Sequence, residues 1–130
     1  MSADTTLQGV LCMNKPAEFT SFDVIGKLRG ILHMRRLGHT GTLDPMATGV
    51  LPVLVGRATR ACDILPDQTK SYRAAVQFGW ETDTEDVWGT RTAVYSDMHV
   101  TKEKLEKALL QFQGTIRQVP PMYSAVSVEG

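Results

Sequence analysis

The sequence predicts an α+β fold, in which a mixed, mainly antiparallel sheet is flanked by helices. Three observations support this prediction: apolar runs of strand length recur along the chain, three segments have helical periodicity, and residues 70–95 resemble a hairpin. The 130 residues are 42% apolar and 22% charged, a composition typical of a soluble globular domain with one core. No repeat, linker or low-complexity tract divides the chain.

Five segments are predicted to be strands because they are short, apolar or alternating, and bounded by turn residues. The clearest signal covers residues 70–78, where apolar side chains occupy alternate positions. The acidic segment 79–89 is predicted to be a solvated loop, since it lacks the glycine and terminal glutamate of a calcium loop. The strands are expected at about residues 9–13, 50–55, 70–78, 90–95 and 122–128.

Three segments are predicted to be helices, at residues 20–32, 57–65 and 101–113. Thr20 and Asp23 form a candidate capping box at the start of the first helix. Thr101 is predicted to cap the third helix, and Gly114 to end it. The apolar stripe expected on the first helix consists of Val24, Ile25, Leu28, Ile31 and Leu32, and the second is expected to turn Ala58, Ala61, Ile64 and Leu65 inward.

Basic residues are concentrated in one part of the chain. Lys plus Arg and Asp plus Glu both total 14, so the overall charge does not indicate a nucleic-acid partner. Residues 27–60, however, contain six basic residues and one acid, Asp44. Arg35 and Arg36 are candidates for RNA phosphate contacts, because a guanidinium group binds phosphate in a planar, bidentate way. Ordinary solvated charge on a helix and a turn would explain the same pattern.

The cysteines and the apolar segments do not indicate a metal site or a membrane-spanning segment. Cys12 and Cys62 lie in apolar stretches without metal-ligand spacing, which predicts reduced, packed thiols. The polar N-terminus does not resemble a secretory signal, and no apolar run approaches membrane-spanning length. These features predict a cytoplasmic protein that needs no metal.

The most distinctive stretch covers residues 38–60. Its first half is rich in Gly, Thr and Pro and predicts an irregular loop, whereas its second half begins with an apolar strand. Pro45 biases Asp44 towards an extended backbone, so local features alone favour an Asp-Pro turn before a core strand. The glycine spacing lacks the ending of a P-loop and the pattern of a dinucleotide-binding loop, which disfavours a nucleotide-phosphate enzyme.

The whole stretch resembles the central motif of the TruB-type tRNA pseudouridine synthases, which combines Gly-His-Thr-Gly-Thr-Leu-Asp-Pro with Ala-Thr-Gly-Val-Leu-Pro. Three further segments are similar to motifs of that family: the Lys15-Pro16 pair, Lys-x-Tyr-Arg at residues 70–73, and Pro-Pro-x-Tyr-Ser-Ala from residue 120. In the last segment Ser127 stands where the family usually has lysine. The resemblance covers nearly all of residues 8–130.

The resemblance implies the pseudouridine synthase fold and an enzyme that isomerises the T-loop uridine of tRNA. It implies that Asp44 is the catalytic residue and that His39 and Tyr72 contact the flipped nucleotide. Lys15 is assigned a structural or RNA-proximal role. The expected partner is the T-arm stem-loop of tRNA, no cofactor is implied, and the full-length enzyme is expected to be monomeric.

A carboxylate at the junction of sugar and base could act in two ways. It could add to uracil C6 or ribose C1′ as a nucleophile, or it could stabilise positive charge at C1′ and take a proton from the sugar. The residues do not choose between these routes. The base must first leave its stack, and an imidazole and a phenol are suited to stacking on a displaced base.

The resemblance also implies that residues 1–130 form the N-terminal part of a longer catalytic domain. The family continues with further strands, an arginine that pairs with the catalytic aspartate, and often a C-terminal RNA-binding domain. The 130-residue chain alone is therefore expected to be inactive, and to be marginally stable or to associate through an open sheet edge. The alternative function is that of a non-catalytic RNA-binding fragment.

Overall fold

A computed structural model of the chain describes residues 7–65 and 69–119. Within these ranges the fold is α+β with antiparallel sheets, which confirms the predicted class. The chain forms two compact units, Met1–Tyr72 and Arg73–Gly130.

A three-stranded antiparallel sheet forms the centre of the first unit. Strand β3 (Gly49–Val55) lies between β1 (Gly9–Lys15) and β2 (Leu37–His39) and runs antiparallel to both. Lys15 is opposite Gly49 in the register, so the end of β1 meets the start of β3. This register brings Lys15 close to the loop that precedes β3.

Helix α1 (Ser21–Leu32) begins with the predicted capping box. The Thr20 hydroxyl oxygen accepts a hydrogen bond from the Asp23 amide at 3.0 Å, and the Asp23 carboxylate accepts one from the Thr20 amide at 2.8 Å. Ile31 is exposed, so the buried stripe is narrower than the pattern predicted. The core joins α1 to the sheet through Val24, Ile25, Leu28, Met34, Leu37, Leu51, Val53 and Val55.

A 3-10 helix over Gly56–Ile64 follows β3, where the sequence predicted a helix at residues 57–65. Gly56 has a φ of 63°, and a Cβ there would lie 2.6 Å from the carbonyl oxygen of Leu7, so only glycine fits this turn. Ile64 and Leu65, which were expected to face inward, are exposed. The three-residue repeat of a 3-10 helix places side chains differently from the α-helical repeat on which that prediction rested.

The second unit contains an antiparallel hairpin and a helix. Strands β4 (Trp80–Thr82) and β5 (Arg91–Val94) pair with an irregularity between Glu81 and Thr82. Helix α2 (Lys102–Leu109) continues as a short 3-10 helix, Leu110–Phe112. The Thr101 hydroxyl caps α2 by accepting a hydrogen bond from the Lys104 amide, and Gly114 follows the helix with a φ of 76°, as predicted.

The prediction of a strand at residues 70–78 is wrong. This segment has no regular structure, and its side chains are exposed. Alternating apolar and polar residues indicate that a segment could bury one face of a strand. A strand forms only where a neighbouring strand supplies hydrogen bonds, and no strand of the described residues pairs with this segment. The first strand of the hairpin is instead β4, inside the segment predicted to be a loop. The strand predicted at residues 122–128 lies outside the described residues.

Candidate active site around Asp44

Asp44 occupies the first position of a tight turn. The Ala47 amide donates a hydrogen bond to the Asp44 carbonyl oxygen at 3.1 Å, and Pro45 holds the second position, where its fixed φ favours the turn. The Asp44 side chain is exposed, and its carboxylate has no hydrogen bond or ion pair with any described residue. The turn therefore presents a carboxylate with all of its acceptor sites free.

The residue before Asp44 is held by the start of α1. Ser21 is only 2% exposed, and its hydroxyl oxygen accepts a hydrogen bond from the Leu43 amide at 3.0 Å. The same hydroxyl donates to the Leu43 carbonyl oxygen at 3.4 Å. One buried side chain thus satisfies both backbone groups of Leu43, a residue in an irregular loop.

The residue after Asp44 is held by a buried lysine. Lys15 is 0% exposed, and its ammonium donates to the carbonyl oxygens of Pro16 at 2.8 Å, Phe19 at 2.6 Å and Pro45 at 2.9 Å. These contacts use all three donors of the ammonium group, which a buried charge requires. Lys15 therefore joins the end of β1, the approach to α1 and the Asp44 turn, so its role is structural.

Together, Ser21 and Lys15 fix the backbone on both sides of Asp44 while its carboxylate stays free. Their hydrogen bonds reach across the sequence from β1 and α1, so the turn is fixed by the core of the first unit. A carboxylate on a backbone anchored in this way is preorganised to interact with a bound group without first rearranging.

His39 is the last residue of β2, and the loop that contains Asp44 begins directly after it. It is half-buried and opposite Val53 in the sheet register, and its Nδ1 is buried without a hydrogen-bond partner in the described part of the chain. The Cys62 thiol donates to the His39 carbonyl oxygen at 3.7 Å. The sheet therefore fixes the His39 backbone and leaves one ring nitrogen unused.

Tyr72 lies in the irregular segment at the end of the first unit. Its side chain is exposed and has no hydrogen bond or ring contact with described residues. Lys70, two residues earlier, approaches the loop of Asp44: its Cε lies 3.4 Å from the position that a Cβ on Gly41 would occupy. The Lys-x-Tyr segment thus meets the loop through Lys70.

Arg35 and Arg36 are both exposed in the turn between α1 and β2. The Arg36 Nε donates to the Thr59 hydroxyl oxygen at 3.0 Å, and the Arg36 carbonyl oxygen accepts from the Gly56 amide at 2.9 Å. Arg35 has no hydrogen bond or ion pair within the described ranges. Arg35 is therefore the less constrained of the two, and a phosphate contact for either residue stays a prediction.

No group of three His, Cys, Asp or Glu side chains in residues 7–65 and 69–119 could hold a metal ion. No helix in the same ranges is long and apolar enough to cross a membrane.

Ser21 is the site residue that sequence reasoning missed. Its role depends on a hydrogen bond to a residue 22 positions later, which no local pattern reveals. The available signal was its place beside the capping residue Thr20, where small hydroxyl side chains often hydrogen-bond to nearby backbone.

The family model described as TruB family pseudouridylate synthase (N terminal domain) matches residues 29–130. The chain is 51% identical over 122 residues to tRNA pseudouridine synthase B of Acaryochloris marina (strain MBIC 11017), a match that covers 94% of the chain and 42% of that protein. It is 48% identical over 125 residues to tRNA pseudouridine synthase B of Bacillus anthracis, covering 95% of the chain and 41% of that protein. The chain thus spans about two fifths of the length of these curated relatives.

A solved structure is also similar. A chain in the crystal structure of a Cbf5-Nop10-Gar1 complex matches with a TM-score of 0.60 and 30% sequence identity. The match covers 92% of this chain and 31% of that chain. The family model and the relatives agree with the motif around Asp44, and the chain belongs to the TruB family of pseudouridylate synthases, whose N-terminal domain it matches.

Proposed function

We propose that this chain provides the catalytic aspartate of a tRNA pseudouridine synthase that isomerises the T-loop uridine. One observation carries the proposal: the Asp44 carboxylate is free, while both neighbouring residues are anchored by buried polar side chains. The two relatives named above are tRNA pseudouridine synthases, which supports the reaction. Residues 1–130 form the N-terminal part of the catalytic domain in this proposal, and the activity belongs to a longer protein.

The reaction conserves every atom of the nucleotide except for proton exchange. The bond between N1 and C1′ breaks, the uracil turns, and C5 forms a bond to C1′. The C5 proton is released to solvent, and N1 gains a proton. Asp44 adds to uracil C6 or ribose C1′ as a nucleophile, or stabilises developing charge at C1′ and takes a proton from the sugar. A fixed carboxylate serves either route.

The RNA partner is proposed from the surroundings of Asp44. The base has to be flipped out of its stack, and His39 and Tyr72 supply an imidazole and a phenol that can stack on displaced bases. Arg35 and Arg36 supply exposed guanidinium groups for the phosphate backbone. We place the enzyme in the cytoplasm as a monomer, with the T-arm stem-loop as its substrate.

The test uses this chain extended at its C-terminus by the corresponding remainder of the Bacillus anthracis relative, called the extended protein below. Tritium release from a T-arm stem-loop with C5-labelled uridine measures turnover. Asp44→Asn should reduce turnover to below about one thousandth of the parent rate, because an amide is not a carboxylate nucleophile. Binding of the same stem-loop should persist.

Asp97→Asn is the matched control, since Asp97 is exposed and has no partner among the described residues. It should keep the parent rate. Turnover by Asp44→Asn near the parent rate would exclude Asp44 as the catalytic group. An extended protein that binds the stem-loop but never releases tritium would instead support a non-catalytic RNA-binding module.

A further inference from the structure

Lys70 lies across the loop of Asp44 at Gly41. Its Cε is 3.4 Å and its Nζ 3.9 Å from the place where a Cβ on Gly41 would stand. Apart from Gly41 and its two chain neighbours, no other described residue has an atom within 4 Å of that place. The φ of Gly41 is outside the left-handed region, so the backbone conformation does not require glycine there. A Cβ there would meet Lys70 at ordinary van der Waals distance, so the end of the Lys70 side chain lies beside Gly41.

The ammonium of Lys70 is available to bind a ligand. Lys70 is exposed and has no hydrogen bond or ion pair with any described residue. Lys15, by contrast, uses all three of its donors within the protein. The end of the Lys70 side chain lies beside the loop, and its ammonium has no partner among the described residues.

Lys70 and the residue that it contacts, Gly41, are both close in sequence to residues of the proposed site. Gly41 lies three residues before Asp44, and Lys70 lies two residues before Tyr72. The contact between Lys70 and Gly41 therefore joins the loop that carries the proposed catalytic group to the segment that carries the proposed base contact. A nucleotide bound at Asp44 would bring its negatively charged backbone into this region.

We infer that Lys70 binds a backbone phosphate of the RNA next to the target uridine, from its position beside Gly41 on the Asp44 loop. The inference rests on the proposed function, since it places the nucleotide at Asp44. An ammonium group is a compact charge with three donors, and it binds phosphate without needing the planar geometry of arginine. The contact adds a positioning charge beside the reacting nucleotide.

The first experiment measures binding of the T-arm stem-loop to the extended protein carrying Asp44→Asn, at several salt concentrations. Lys70→Gln should weaken binding and reduce the slope of log affinity against log salt by about one, as loss of one phosphate contact predicts. Lys70→Arg should keep the slope, because it keeps the charge. Lys107→Gln, on exposed α2, makes the same charge change as a matched control and should leave the slope unchanged.

The second experiment tests the position of Lys70 beside Gly41. A Cβ on Gly41 would lie at van der Waals distance from Lys70, so a side chain that extends further is needed to displace the lysine. Gly41→Leu should weaken binding when Lys70 is present, and it should have a smaller effect in the Lys70→Gln background. Thermal unfolding of each variant checks that the loop remains folded.

An unchanged salt slope in Lys70→Gln would overturn the phosphate contact. An equal effect of Gly41→Leu in both backgrounds would overturn the position of Lys70 beside Gly41. Neither result depends on turnover, whereas the proposed function fails only if the extended protein is inactive or Asp44→Asn is active. The two proposals can therefore fail separately.

Discussion

The Asp44 turn and the loop between β4 and β5 both present aspartates at the surface, but they satisfy their hydrogen bonds in opposite ways. In the second loop, Asp86 Oδ1 accepts hydrogen bonds from the Thr84 hydroxyl at 2.7 Å, the Trp88 amide at 2.9 Å and the Gly89 amide at 3.1 Å. That loop is folded by its own carboxylate. The Asp44 turn is held from outside, by Ser21 and Lys15.

The difference separates a carboxylate that holds its own loop together from one that is free to contact a ligand. The hydrogen bonds from the Thr84 hydroxyl and the Trp88 amide hold the pKa of Asp86 below its usual value. Oδ1 of Asp86 already accepts three hydrogen bonds from its own loop, which gives this carboxylate a structural role. Asp44 keeps its acceptor sites free because other residues do the structural work. The number of carboxylates in a loop is therefore a poor guide to function.

Much of the first unit could be predicted because its signals are local. The capping residues and the apolar stripe define α1, and the apolar run defines β3. The support of Asp44 could not be predicted in the same way. Lysine is seldom fully buried, and one of the three carbonyl groups around Lys15, that of Pro45, lies 30 positions later in the chain. The sequence motif indicates the proposed catalytic group, whereas only the fold reveals which residues hold its backbone.

The two errors in strand prediction, at β2 and at residues 70–78, have a related cause. Strand β2 is three residues long and was not predicted, since Leu37–His39 has no strand pattern of its own and forms because β3 offers a partner. Residues 70–78 have a strong pattern but find no partner among the described strands. Pairing, which is non-local, decided both outcomes.

The largest expected effect is that of Lys15→Met in the extended protein. The substitution keeps the length of the side chain but leaves three carbonyl groups without their donor, so we expect a loss of about 3 kcal/mol or more in the free energy of unfolding. Chemical denaturation measures it. Lys27→Met, at an exposed position of α1, should change stability by less than about 0.5 kcal/mol. Equal effects from both variants would mean that the Lys15 hydrogen bonds do not stabilise the Asp44 turn.

The next effect is that of Ser21→Ala, which removes both hydrogen bonds to Leu43. We expect kcat for tritium release to fall roughly 10- to 100-fold with little change in KM, because Asp44, the proposed catalytic group, loses its fixed position. The neighbouring change Thr20→Ala is the control. It removes the α1 cap, at about 1 kcal/mol of stability, but leaves Leu43 untouched, so kcat should stay near the parent value. A similar fall in kcat for both variants would show that helix stability, not positioning, is responsible.

A smaller effect is expected from Asp86→Ala. The Trp88 and Gly89 amides lose their acceptor, and their hydrogen exchange should accelerate. Turnover should stay unchanged, because the hydrogen bonds of the Asp86 carboxylate stay within its own loop and do not hold the Asp44 turn. Glu85→Gln, one residue earlier, removes a charge without removing a side-chain hydrogen bond of the described loop and should leave the exchange rates unaltered. A fall in turnover for Asp86→Ala would contradict the division of roles between the two loops.

The smallest effect concerns pH and acts on the same loop. The pKa of Asp86 is lowered in the folded state, so its ionised form stabilises the hairpin above the ordinary aspartate pKa of 3.8. This contribution should disappear as the pH falls through the lowered folded value, because the protonated carboxyl is a weaker acceptor. The Trp88 and Gly89 amides should therefore lose protection from hydrogen exchange only as the pH falls from about 3.8 through the lowered folded pKa of Asp86, once the intrinsic pH dependence of exchange is corrected for. Asp86→Asn should remove this pH dependence, since an amide does not titrate. A variant that still loses protection over the same range would place the responsible group elsewhere.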